Sequence, residues 1–234
     1  MARWREYTVL WRVLKEVAST LHGWRKAPIL RTIRERSVPL QRQDSLILER
    51  ERPYRTVSRR YVWRSAWYNV RQDELEAADG SAAVYTVVEK PGGVWIVPLT
   101  DGGDLVLIEQ YRYPVDDWCL EVPAGNIEQG VPPEVMAARE LAEEVGGLAR
   151  EWVPVGRFYS LNGICDQVAH VYVALGVTLA RPNHEPTEHI SVRLLPVNDA
   201  LHMAASGAIN DGPSALALLL SERVLRAHLG EGEA

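Results

Sequence analysis

The chain has 234 residues, 47% of them hydrophobic and 24% charged, with eight tryptophans against a single phenylalanine and a formal net charge of −5. That length suits one large domain or two small ones with a sizeable core, and no apolar run is long enough for a membrane span or a signal peptide. Two cysteines, Cys119 and Cys165, are too few for a disulfide framework and read as small buried hydrophobes in a reducing cytoplasm.

The charge is unevenly spread. Residues 1–72 hold 17 Lys+Arg against 6 Asp+Glu, a net of +11, and the remainder holds 9 against 25, a net of −16. Such polarity fits a nucleic-acid partner, an anionic membrane surface, or a dimer in which unlike regions interleave. Within the basic third, residues 7–24 have the period of an amphipathic helix, with Leu10, Val13, Leu14, Val17 and Leu21 on one face. Arginines on the other face admit a membrane surface. Glu6 and Glu16 weaken that reading and favour docking on the protein itself or on a second subunit. Residues 25–48, with Pro28, Pro39 and scattered charge, read as a linker or irregular arm.

From Tyr54 the period becomes two. Residues 54–63, 64–72 and 82–89 are rich in Val, Tyr, Trp and Thr, and the turn signal Ala78-Asp79-Gly80-Ser81 separates the last two. These predict a small three-stranded antiparallel unit. Further strands are expected at 94–99, 105–113 and 120–122, the first two joined by a turn at Asp101-Gly102-Gly103-Asp104. A turn at Val122-Pro123-Ala124-Gly125 follows.

Pro132 and Pro133 suit the opening of a helix, where a missing N–H costs nothing. The helix is expected to run to Val145, with Val135, Ala138, Leu141, Ala142 and Val145 as its apolar stripe. Gly146-Gly147 then stops it. Glu140, Glu143 and Glu144, three and four apart, crowd one face and repel each other. A hard cation such as Mg²⁺ or Mn²⁺ would relieve that repulsion; the bland alternative is a solvated acidic face. Beyond it, strands are expected at 152–159, 168–175 and 190–195, and helices at 199–206 and 214–229. Strands and helices mix without regular β-α-β alternation, so the fold class is α+β, or an α/β/α sandwich on a mixed sheet.

The segment from Gly125 to Gly147 resembles the Nudix box, G-x5-E-x7-R-E-U-x-E-E-x-G-U with U aliphatic. Gly125, Arg139, Glu140, Leu141, Glu143, Glu144 and Gly146 fall in register. Two positions depart: Val131 replaces the first glutamate, which is usually read as orienting the arginine and the helix, and Gly147 replaces an aliphatic residue. The resemblance extends over residues 54–229 to the ADP-ribose pyrophosphatase, or nucleoside-diphosphate-sugar hydrolase, branch. Glu109-Gln110-Tyr111-Arg112-Tyr113-Pro114, Glu121-Val122-Pro123-Ala124-Gly125 and the small preceding β unit carry it. In the loop after the box the branch often has Ser-Pro-Gly where this chain has Leu161-Asn162-Gly163. The likeness therefore reaches a nucleoside diphosphate derivative more firmly than ADP-ribose itself.

The resemblance implies a Nudix-like α+β domain over 91–229, preceded by the basic segment 1–48 and the β unit 49–90, the latter exchanged across a homodimer. It implies metal-dependent cleavage of a pyrophosphate in ADP-ribose or a related NDP-sugar, with Mg²⁺, or Mn²⁺ in its place, on Glu140, Glu143, Glu144 and the Ala124 carbonyl. Arg139 belongs to the catalytic group. A general base is expected from the acidic loop after the box, at Glu188 with Glu185 as the alternative. Arg112 could clamp a phosphate with its planar fork, or simply form a surface ion pair. Trp63 and Trp67, with Tyr68, could offer a stacking wall for a base, although core packing is commoner for such residues.

His184-Glu185-Pro186-Thr187-Glu188-His189 is not a zinc motif, because its histidines are five apart with a proline between them. Two other readings stand beside the hydrolase. One is a non-catalytic nucleotide-binding Nudix domain, motivated by Val131. The other is an RNA-cap-type pyrophosphohydrolase, motivated by the basic third, which carries no RNA-binding signature.

Overall fold

The computed structural model describes residues 51–182 and 189–230. The expected helix 7–24, the arm 25–48, and Glu185 and Glu188 lie outside the described residues. Three strands open the described chain: β1 (Tyr54–Arg64), β2 (Asn69–Ala77) and β3 (Ala82–Glu89), antiparallel in the order β1-β2-β3. The second strand begins five residues later than its composition suggested. Ser65 closes a turn first, its hydroxyl donating to the Tyr68 carbonyl at 2.7 Å and accepting from the Trp67 and Tyr68 N–H groups. Such local side-chain bonds compete with a strand ladder. The turn at 78–81 forms as expected, with Gly80 at φ +80° and a bond from Ala77 N to Ser81 O of 2.8 Å.

The main body is an eight-stranded mixed sheet. β4 (Gly93–Thr100), β5 (Asp104–Arg112), β10 (Val168–Leu179), β11 (Ile190–Pro196) and the short β8 (Gly147–Leu148) run in the order β11-β5-β4-β10-β8. β6 (Asp117–Glu121) pairs with β5, β7 (Ala124–Asn126) with β4, and β9 (Glu151–Tyr159) with β10. Only β4 and β10 are parallel among these pairs. A single 3-10 turn, Tyr113–Val115, ends the expected strand 105–113 one residue early, because Pro114 cannot donate to a ladder.

Three helices complete the body: α1 (Pro133–Val145), α2 (Val197–Ser206) and α3 (Gly212–His228). They cover both faces of the sheet. Val94, Ile96, Val106, Ile108, Tyr172 and Ala174 face α1, while Val97, Leu99, Leu105, Leu107, Val171 and Val173 face α2 and α3. The near-continuous apolar runs of β4, β5 and β10 are what a sheet buried on both faces requires. This is the expected α/β/α sandwich. Among the described residues no helix is long and apolar enough to cross a membrane.

The small β unit is built differently. Every residue of β1 is exposed, and Tyr61, Trp63, Trp67, Tyr68, Val84 and Tyr85 are exposed large apolar side chains. Its attachment to the body includes bonds from β3, Val88 N donating to Ile164 O at 2.7 Å and the Tyr85 hydroxyl to Gly163 O at 2.6 Å, and one from Arg71 on β2 to Asp166. A three-stranded sheet of this size gains little stability alone.

Candidate active site

α1 begins where its two prolines predict, with Pro132 extended as N-cap and Pro133 inside the first turn. It ends on Gly146 in the left-handed conformation, φ +65°. A Cβ there would also run into the Ala180 backbone, so both conformation and space demand glycine. Gly147, where the box has an aliphatic residue, lies against Leu141: an added Cβ would come within 2.8 Å of Leu141 Cγ. Leu141 already fills that volume.

The buried face of α1 differs from the expected stripe. Met136, Ala137, Leu141, Glu144 and Val145 are buried, whereas Val135 and Ala138 are exposed. The helix is rotated so that a carboxylate enters the interior. The reason is a backbone partner: Ala124 N donates to Glu144 Oε2 at 2.9 Å, and Glu144 is only 8% exposed. A buried charge survives where such a bond is provided.

Gly125, next along β7, receives a second carboxylate. A Cβ built on it would lie 2.5 Å from Glu140 Oε2 and closer still to the carboxyl carbon and Oε1. Glycine is therefore the one residue that lets Glu140 rest on this strand. Glu143 is exposed beside them. Glu140, Glu144, Ala124 and Gly125 thus come together, from a helix and a strand twenty residues apart.

Val131 and Arg139 are explained by a neighbour. Val131 packs against the core on the α1 side. Arg139 Nη1 instead donates to Glu128 Oε1 at 2.6 Å, so the arginine is held by a glutamate three positions upstream of the box's own. The sequence did contain this signal: Glu128 lies in the box loop, one position from Ile127.

Arg112 is also paired. Its Nε and Nη2 donate to Glu121 Oε1 and Oε2 at 2.6 and 2.5 Å, and Glu121 is buried. That hydrogen-bonded carboxylate raises the pKa of the guanidinium, against burial, with Glu144 and Asp211 adding to it. Two of Arg112's five donors are used, leaving three. Glu121 was not assigned a role from sequence, although it opens the Glu121-Val122-Pro123-Ala124-Gly125 stretch. Trp63, on β1, and Trp67, in the following turn, are 59% and 70% exposed, so the core packing commoner for tryptophan does not describe them. Cys119 and Cys165 are free and buried, and burial pushes the Cys119 thiol up. Burial, then Arg157, lower the pKa of His170, with Glu134 opposing them.

Chemically, the box offers hard oxygens on a glycine-cleared backbone. Among the described residues, no three His, Cys, Asp or Glu side chains already converge on one point. A cation that keeps several waters and shares substrate phosphates needs only one or two protein carboxylates, and Mg²⁺ behaves so. A closed nitrogen and sulfur set, which zinc prefers, is not offered by these residues. They fit a hard divalent cation.

Residues 89–216 match the NUDIX domain model. The chain is 29% identical over 166 residues to the ADP-ribose pyrophosphatase of Bacillus subtilis (strain 168), spanning 70% of this chain and 90% of that protein. It is 31% identical over 162 residues to the ADP-ribose pyrophosphatase of Mycobacterium tuberculosis, spanning 68% and 78%. A solved structure described as an ADP compounds hydrolase superposes with a TM-score of 0.68 at 22% identity, over 77% of this chain and 98% of that one. At that identity the structural likeness is one of fold.

Proposed function

Because the chain belongs to the NUDIX hydrolase family, we propose that it cleaves the pyrophosphate linkage of a nucleoside diphosphate sugar. ADP-ribose or a close relative is the substrate, and a nucleoside monophosphate and a sugar phosphate are the products. The observation that carries this reading is the seating of Glu140 and Glu144 on the Ala124–Gly125 backbone. A retired site would have no reason to keep repelling carboxylates on a strand cleared to receive them. The motive for a non-catalytic reading also weakens, since Arg139 has its carboxylate partner in Glu128.

The divalent cation, Mg²⁺ with Mn²⁺ as its substitute, would be held by Glu140, Glu143, Glu144 and the Ala124 carbonyl. When bound, it supplies charge neutralisation on the diphosphate and a lowered pKa for an attacking water. The chain's own residues do the rest. Ala124 N fixes one oxygen of Glu144, and Glu128 holds the arginine on α1. Arg112, already aligned by Glu121, presents its remaining donors to a phosphate. Glu188, or Glu185, accepts the proton of the water as general base. Trp63 and Trp67 stack on the base of the substrate.

The active unit is a homodimer in this reading. The exposed aromatics of the β unit give it an apolar surface to bury, and the +11 and −16 regions attract across a two-fold axis. Residues 1–48, 49–90 and 91–229 then act as arm, exchanged β unit and catalytic domain, in a reducing cytoplasm suited to two free thiols.

A substrate panel tests the proposal. ADP-ribose, other nucleotide sugars, dinucleoside polyphosphates, NADH and capped RNA are incubated with and without Mg²⁺, and products are resolved by chromatography. AMP and ribose 5-phosphate formed only with the metal are expected. Cleavage of capped RNA alone, or nucleotide binding without cleavage of any member, would overturn it.

A further inference from the structure

One buried polar side chain lies outside the box yet reaches it. Gln167 is 5% exposed, and its side-chain hydrogen bonds connect different parts of the chain. Its Nε2 donates to Pro91 O at 3.1 Å and to Asn126 Oδ1 at 3.4 Å, and its Oε1 accepts from the Ser160 hydroxyl at 3.0 Å. Asn126 follows Gly125, the residue on which Glu140 rests. Pro91 precedes Gly92, whose carbonyl accepts from Ile127 N at 2.7 Å. A buried amide with both donors and its acceptor engaged fixes those groups firmly, since breaking any of the bonds strands a polar atom away from water.

The preceding residue faces the other way. Asp166 Oδ1 accepts from Lys90 N at 3.1 Å, and Oδ2 from Arg71 Nη1 at 3.3 Å. Arg71, on β2, is 12% exposed and also binds Asp73 and Glu89. The backbone of the same loop is bonded to β3 on both sides of Val88: Val88 N to Ile164 O, and Asp166 N to Val88 O at 3.3 Å. Two adjacent residues therefore join the small β unit to β7, Asp166 on one side and Gln167 on the other.

We propose that Gln167 is a positioning residue for the hydrolysis, holding Asn126 and thereby the Ala124–Gly125 backbone in the register that Glu140 and Glu144 need. The proposal rests on the hydrolase reading above. Pro91's carbonyl can only accept, so the position needs an amide rather than a carboxylate. Gln167→Glu preserves shape and the Ser160 bond but sets oxygen against oxygen at Pro91.

The test uses the full chain with Gln167→Glu, Asn126→Ala and the double variant. Mn²⁺ affinity is measured by electron paramagnetic resonance without substrate, and kcat and KM for ADP-ribose are measured with Mg²⁺. Partners just outside a metal's ligands typically govern roughly 10–100-fold in affinity or activity. Gln167→Glu should therefore lower kcat and Mn²⁺ affinity by about 10-fold, leaving KM within about threefold. In the Asn126→Ala background the same substitution should add less than about twofold, because the link from Gln167 to β7 through Asn126 is already gone and only the Pro91 contact is left to lose. An equal penalty in both backgrounds, or Gln167→Glu matching wild type, overturns the proposal. Should Gln167→Glu not fold, Asn126→Ala alone decides: Asn126 is exposed, and unchanged Mn²⁺ affinity in that variant is an overturning result. A wild-type protein that neither binds Mn²⁺ nor hydrolyses any substrate refutes the hydrolase reading itself. Active wild type with indifferent variants refutes this inference alone.

Discussion

Replacing Gly125 by alanine puts a methyl group where the Glu140 carboxylate lies. The new Cβ would stand 2.5 Å from Oε2 and nearer to the rest of the group, so the carboxyl must retreat by more than about 1 Å to reach ordinary contact. Misplacement of a catalytic group by that distance costs on the order of 10²-fold in rate. Stability should barely change. Gly125 is not among the glycines with positive φ, so alanine fits its backbone and removes unfolded-state freedom by roughly 0.4–1 kcal/mol. Glu140 is half-buried and can swing outward. Gly125→Ala should then lose about 10²-fold in Mg²⁺-dependent turnover of ADP-ribose with a melting temperature within a few degrees of wild type. Gly212→Ala, where nothing lies within 4 Å of the new Cβ, is the control and should change neither. On a Glu140→Gln background the Gly125 substitution should add little. Activity within threefold of wild type, or a loss that persists undiminished on that background, would refute the reasoning.

Glu144→Gln keeps the hydrogen bond from Ala124 N but removes the charge, so turnover should fall at least ~10²-fold with the fold intact; equal rates at saturating Mg²⁺ would exclude Glu144 as a ligand. Glu188→Gln should reduce kcat by roughly 10²–10⁴-fold with metal binding retained. If Glu185→Gln shows that loss instead, the base lies three residues upstream, and if neither does, Glu143 is next to test. Glu128→Ala frees Arg139 and should lower activity roughly 10-fold while leaving the melting curve in place, because exposed ion pairs contribute little to stability. An unaffected rate would mean that Arg139 needs no carboxylate. Sedimentation should find a dimer for the full chain and for a variant lacking 1–48, and an inactive monomer for one lacking 1–90; an active full-length monomer would contradict the exchanged arrangement.

The sequence by itself determined the family, the fold class and the order of the longer elements, but not the short strands β7, where a turn is expected, and β8. Apolar runs at β4, β5 and β10, a helix opened by Pro132-Pro133 and closed by Gly146, and seven box residues in register are local patterns with one structural meaning each. Only the tertiary structure decided which way those elements face and what they touch. The expected stripe on α1 counted apolar residues. The real buried face includes Glu144, because a backbone N–H from β7, twenty residues away, makes burial of that charge affordable. Glu128 as partner of Arg139, Glu121 as partner of Arg112, and Leu141 filling the space beside Gly147 are likewise contacts across turns and strands. Periodicity reports how a segment repeats along its own axis. It carries no information about the groups that another segment brings to meet it, and those groups fix the rotation of the helix and the position of every carboxylate on it.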